Sequence, residues 1–208
     1  MKNSAFTLAE VLITLAIIGV IAAISVPSLI QKTNQAELIT AWKKNFATLS
    51  QALDNVMFND GSINIKDSYA LRNALGNQLK FVKSCDSPIG NCWHAAGVAK
   101  TLPLPNGTTY NYESNMSDIT GAILNNGALL VIHEDTGYTA LGWIMVDVNG
   151  FKSPNVAGRD IFIGRITSDG FVAPTEKEFG TCNPVSVGDS GNSYIGLGCS
   201  SYYLYAAK

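Results

Sequence analysis

Residues 5–27, AFTLAEVLITLAIIGVIAAISVP, are apolar apart from two threonines, one serine and a single carboxylate, Glu10. Val11 to Pro27 carry no charge, and Phe6 to Ala9 extend the run on the other side of Glu10. About 20 such residues cross a hydrocarbon core, so the block is long enough to span a membrane. A cleavable signal peptide is the alternative, with an apolar core of about 7–15 residues behind a basic region. The stretch AAIS offers it a small-residue cut, but only MKNSA precedes the run here.

A helical pattern continues past the block. Leu38, Ile39, Trp42, Phe46, Leu49, Leu53, Val56 and Met57 recur every three or four positions, which places them on one apolar face. Lys43, Lys44, Asn45, Gln51 and Asp54 fall on the other faces. One helix over residues 6–58 extends about 80 Å at a rise of about 1.5 Å per residue. Pro27 is expected to bend it, because its ring removes a backbone hydrogen bond. Glu10 is the anomaly. Ionisable groups inside membrane segments are costly and normally paired, yet no Lys, Arg or His lies within a turn of it. Either Glu10 sits near enough to the interface to reach water, or its partner is made later. A cut after Ala5 frees the amine of Phe6, four residues away, in the same chain or in a neighbour.

The stretch FTLAEVLITLAIIGVIAAISVPSL, with its short polar leader, Phe6, Glu10, Gly19 and Pro27, resembles the N-terminus of the type IV pilins and type II secretion pseudopilins. The resemblance implies a prepilin peptidase that cleaves between Ala5 and Phe6 and methylates the Phe6 amine. Ala5 stands where that family usually has glycine. It also implies that Glu10 guides assembly with other pilin or pseudopilin subunits on an inner-membrane assembly platform, after storage in membrane lipid. The expected place is the cytoplasmic membrane, single-pass with the head outside, and then a periplasmic or cell-surface filament. The alternative within the family is a minor tip subunit that acts as an adhesin or substrate-binding module. Lys2 before the block, against Lys32, Lys43 and Lys44 after it, gives contrary guidance on orientation. Orientation is therefore taken from the resemblance and the cysteines. The domain reading is a leader at 1–5, a transmembrane and assembly helix at 6–30, and a head at 31–208 that includes the amphipathic half of the long helix.

The rest of the chain reads as a loop-rich soluble head. A formal net charge of -2, with 14% charged residues and no basic run, argues against a nucleic-acid partner. Cys85, Cys92, Cys182 and Cys199 all lie in the head and allow three pairings. Pairing of nearest neighbours closes two short loops, each bridge contributing roughly 2–4 kcal/mol. Neither pair has the C-x-x-C spacing of a zinc site, so disulfides and an oxidising compartment are expected.

The head's pattern predicts a helix over 69–82 and then strands at TTYNYES, ALLVIHE, YTALGWIMVDV and DIFIGRI, with turns at Asp135-Thr136-Gly137 and Ser168-Asp169-Gly170. The fold class is α+β, a long N-terminal helix packed on a small antiparallel sheet. Asp147, Asn149, Asn155 and Asp160 gather oxygen ligands around Gly150 and Gly158. Calcium takes about six to eight oxygens from such loops, and it occurs in some pseudopilin heads that this chain resembles. The spacing is not that of an EF-hand, and the preferred reading is a turn at Asn149-Gly150 whose side chains cap backbone groups. No other cofactor is expected.

GDSG at 188–191 resembles the nucleophile motif of chymotrypsin-like proteases, and His94, Asp147 and Ser190 follow that family's chain order. Order alone does not make a triad, so the expectation is a Gly, Asp and Ser loop in a protein that is not an enzyme. His94 is expected in a loop, His133 in a strand and Trp42 in the core.

Overall fold

The structure is a computed structural model that describes residues 7–59, 67–100, 118–134, 141–174, 182 and 196–206. The chain forms two units, Met1–Glu37 and Leu38–Lys208. Helix α1 (Leu8–Asn59) runs through Pro27 and contributes residues to both. In the first unit the apolar side chains face outward all round, including Leu12, Ile13, Leu15, Ile17, Ile18 and Ile21. This helix is long and apolar enough to cross a membrane.

In the second unit, α2 (Ser68–Leu79) precedes strands β1 (Lys83–Cys85), β2 (Ile119–Ile123), β3 (Leu129–Glu134), β4 (Gly142–Asp147), β5 (Ile161–Thr167) and β6 (Gly170–Val172). A short helix α3 (Cys199–Ser201) leads into a π-helical turn, Tyr202–Ala206. Among the described residues these strands make one antiparallel sheet in sequence order. Ser168-Asp169 forms the predicted turn between β5 and β6, where Thr167 pairs with Gly170. The predicted turn at 135–137 and the predicted strand at 108–114 lie outside the described residues.

The strands read as nearly unbroken apolar runs because both faces of the sheet are buried. One face carries Leu130, Ile132, Ile144, Val146, Phe162, Ile166 and Phe171 against the stripe of α1 and Leu71 and Leu75 of α2. Trp42 stacks on Phe162 at 5.0 Å, and its indole N–H donates to the Ser200 carbonyl at 2.9 Å. The other face carries Leu129, Val131, Met145, Ile161 and Ile163 against Trp93, Ala99, Ala157 and Leu197. This second layer is built from connections, not helices.

Three local expectations are corrected. The helix predicted over 69–82 runs Ser68–Leu79: Asp67 caps its start by accepting from the Tyr69 and Ala70 amides. Lys80 ends it in a left-handed conformation, φ 52°, which leaves Val82 exposed. Asn45, expected on a polar face, is buried; its side chain accepts from Asn126 at 2.8 Å, and Asn126 in turn holds the Ala128 amide in the β2–β3 turn. Strand β2, ITGAI, was not predicted, since it has neither alternation nor bulk.

Arg72 ties these parts together. Its guanidinium donates to Asp86 and to the Thr120 hydroxyl, both at 2.6 Å, and Thr120 donates to the Cys85 carbonyl at 2.9 Å. Helix α2, strand β2 and the first disulfide loop thus share one polar contact.

Gly164 gives the clearest packing test. A Cβ there collides with the Phe171 ring, which is buried and stacked on Phe46 at 5.1 Å. Gly164→Ala should overpack this contact at a cost of about 1–3 kcal/mol. A thermal unfolding curve with the disulfides oxidised should show a lower midpoint; an unchanged midpoint refutes the packing account.

Candidate functional site

Two regions carry polar groups in unusual settings. The first is the start of α1. Thr7 precedes the helix, and its hydroxyl accepts from the Glu10 amide at 3.3 Å. Glu10 reaches back, and its Oε2 accepts from both the Thr7 amide and the Thr7 hydroxyl at 2.8 Å. This is a reciprocal capping box, the T-x-x-E pattern that satisfies two otherwise unpaired donors of the first turn. The signature T-x-x-E is legible in TLAE at residues 7–10. Glu10 therefore has hydrogen-bond partners in its own chain, although it stands at the head of an apolar helix. Ala5 and Phe6 lie outside the described residues.

The second region joins β4 to β5. Asp147 ends β4 and Asp160 immediately precedes β5, so the two carboxylates flank the loop that runs between them. Asp160 Oδ2 accepts from the Asn155 amide at 2.8 Å and Oδ1 from the Val156 amide at 2.7 Å. Asp147 Oδ1 accepts from the Asn149 amide at 3.1 Å, the two-residue link of an Asx turn. Gly158, at φ 78°, lets the loop approach the C-terminal turn: a Cβ there meets the Gly196 carbonyl oxygen at 2.5 Å. The expected capping of backbone groups is thus present.

Capping does not use every polar atom. The side-chain oxygens of Asn149 and Asn155 are buried and accept no hydrogen bond. Asn155 is 8% exposed, and Asp147 and Asp160 are fully buried. Burial pushes the Asp147 carboxyl up to about 6, and the nearby Asp160 adds to the rise while the His94 hydrogen bond opposes it. Burial raises Asp160 as well, against hydrogen bonds from Val156 and Asn155. A raised carboxyl pKa means that folding favours the protonated acid, so holding both ionised at neutral pH costs stability. A bound cation removes that cost. Among the described residues no three His, Cys, Asp or Glu side chains gather at metal-binding distance. Asp147, Asn149, Asn155 and Asp160 offer two carboxylates and two amide oxygens, the hard oxygen donors that a cation such as calcium takes.

His94 also meets Asp147. Its Nε2 lies 2.8 Å from Asp147 Oδ2, and both groups are buried. The imidazole edge also packs against Trp93 at 5.4 Å and Phe151 at 5.6 Å between centroids. The structure thus brings together two of the three residues noted for their protease-like order, while Ser190 lies outside the described residues. Order along the chain gave no sign of the contact's physical setting. His133 lies in β3 beside Trp143 of β4, apart from this cluster.

The disulfides join Cys85 to Cys92 and Cys182 to Cys199, the nearest-neighbour pairing. The first closes the loop that carries Trp93 and His94 onto the second face of the sheet. The second fastens α3, whose Ser200 hydroxyl accepts from the Ile163 amide at 2.9 Å.

Comparison with known proteins gives two matches. The prokaryotic N-terminal methylation motif matches residues 1–26. The type II secretion system core protein G of Pseudomonas aeruginosa is 28% identical over 113 residues, which cover 53% of this chain and 73% of that protein. No solved structure matches.

Proposed function

We propose that this chain, a pilin or pseudopilin by its methylation motif and its likeness to a secretion core protein, is a structural subunit of a type II secretion pseudopilus or related filament. The observation that carries the reading is the first part of α1, Leu8 to Ile30, whose apolar residues are exposed all round and which is headed by one carboxylate. Such a helix is stored in lipid and buries its surface against other such helices when subunits assemble. The precursor is cut between Ala5 and Phe6 by a prepilin peptidase, and the Phe6 amine is methylated. The new amine supplies the cation that Glu10 lacks, in its own chain or in a neighbour. A carboxylate within a membrane segment is costly unless it is paired, so pairing it in the bundle favours departure from lipid. The capping box then has a second effect: Thr7 keeps Glu10 hydrogen-bonded until the neighbour's amine competes for it. The head lies outside the cytoplasm, a placement supported by two disulfides.

The filament reading makes two predictions. Mass spectrometry of the mature chain should find an N-terminus at a methylated Phe6; a chain that still begins at Met1, or begins beyond Ala23, contradicts the processing. Glu10→Ala should enter the membrane normally yet appear in sheared filaments at about a tenth of the native amount or less, as expected for the loss of about 1.4 kcal/mol or more of pairing. Incorporation equal to the native protein argues against the assembly role.

The loop from Asp147 to Asp160 is proposed as a calcium site. Asp147, Asn149, Asn155 and Asp160 would hold the ion, which would neutralise two buried acids and satisfy two buried amide oxygens. The ion would also fix the loop that covers the second face of the sheet. Titration of the full chain in detergent with calcium should give binding heat and raise the unfolding midpoint. At a free concentration of about 100 times Kd the gain is about 2.7 kcal/mol. No heat and an unshifted midpoint remove the metal.

A further inference from the structure

We infer that His94 is the positioning residue of this calcium site, the group that holds Asp147 in the orientation in which it ligates the ion. The inference rests on the calcium reading and goes beyond it, because His94 touches no ion itself.

Asp147 is gripped from two directions. Its Oδ1 takes the Asn149 amide at 3.1 Å, a local contact made by the turn, and its Oδ2 meets His94 Nε2 at 2.8 Å. A carboxylate that ligates calcium is ionised and can only accept, so the imidazole is the donor there, through Nε2–H. With one donor on each oxygen, the carboxylate plane is fixed and a lone pair on each oxygen stays open for the ion. Without His94, Oδ2 has no donor in the described structure, and the group can turn about its Cβ–Cγ bond. Partners of this outer kind typically change metal affinity by about 10–100-fold when removed.

The histidine is itself held firmly. The Cys85–Cys92 bridge closes the loop just before it, and the Gly90 amide donates to its carbonyl at 2.9 Å. Trp93 beside it is buried in the second core. On the other side Phe151, next to the Asn149-Gly150 turn, packs its ring against the imidazole at 5.6 Å. Any buried imidazole needs an acceptor for its ring N–H; this one finds it in Asp147, the carboxylate that ends β4 two residues before Asn149, whose side-chain oxygen is left unpaired.

The test is calorimetric titration of the full chain in detergent with calcium chloride at fixed pH. It compares the native protein with His94→Ala, His94→Gln and His133→Gln, each first shown by circular dichroism to melt cooperatively without calcium. The native chain should bind, and His94→Ala should bind about 10–100-fold more weakly. His94→Gln, which keeps an N–H donor, should recover most of the loss, and His133→Gln should bind as the native chain does. Equal affinity of His94→Ala and the native chain overturns the positioning role, as does a His94→Gln variant no better than His94→Ala. A native chain that gives no heat overturns the calcium reading and this inference with it, and that result comes from the native chain alone. If His94→Ala does not fold, the native chain still decides: nitrogen NMR of the calcium-bound chain should show His94 as the Nε2–H tautomer, the form that donates to Asp147. A calcium-bound chain whose His94 carries its proton on Nδ1 overturns the inference.

Discussion

A sheet with two apolar faces has to be covered on both, and most of the head follows from that constraint. One face is met by α1 and α2, whose apolar residues recur at helical spacing and so form continuous surfaces. No helix in the described structure serves the other face. Its cover is made from connections, and connections carry backbone polar groups that must be paired when buried. Asp147 and Asp160 do that pairing for the β4–β5 loop, and the Cys85–Cys92 bridge holds the loop that brings Trp93 into the layer. The candidate site is thus a by-product of covering a sheet with loops. Carboxylates recruited to cap backbone amides end up buried, close together and partly unneutralised.

The N-terminal unit obeys a different constraint. Its helix carries exposed apolar side chains on every side and is long and apolar enough to cross a membrane. A lone acid at its start is tolerable because Thr7 supplies two hydrogen bonds to it. That arrangement satisfies the first turn without cancelling the charge. The charge remains available to a cation, which in the proposed assembly is the amine of a processed N-terminus. In the proposed assembly, capping and pairing draw on the same carboxylate, which would link the integrity of the first turn to the state of the subunit.

Much of this was visible in the primary structure because it is local. The stripe from Leu38 to Met57, the runs LLVIHE, GWIMVD and IFIGRIT, and the Ser168-Asp169 turn all declare themselves within a few residues. Even the second core could be inferred, since runs without alternation have no polar face to give to water. Strand β2 escaped because ITGAI earns its place only by pairing with β1 and β3; Gly121 is needed there because a Cβ would meet the Leu130 carbonyl oxygen at 2.8 Å. Asn45 escaped for a similar reason: a polar residue in a helix looks solvated until a turn 81 residues away donates to it.

By itself the amino-acid sequence determined the membrane-capable helix, the methylation motif, the sign and place of Glu10 and the strand-rich head, because periodicity, hydropathy and motif spacing act over short ranges. It also supplied the oxygen-rich loop as a list of residues. Only the tertiary structure decided which oxygens are buried, which are already used by backbone amides, and that His94 reaches Asp147 across 53 residues of chain. Those are consequences of strand register and of which loop covers which face. They depend on distances through space that no local pattern encodes.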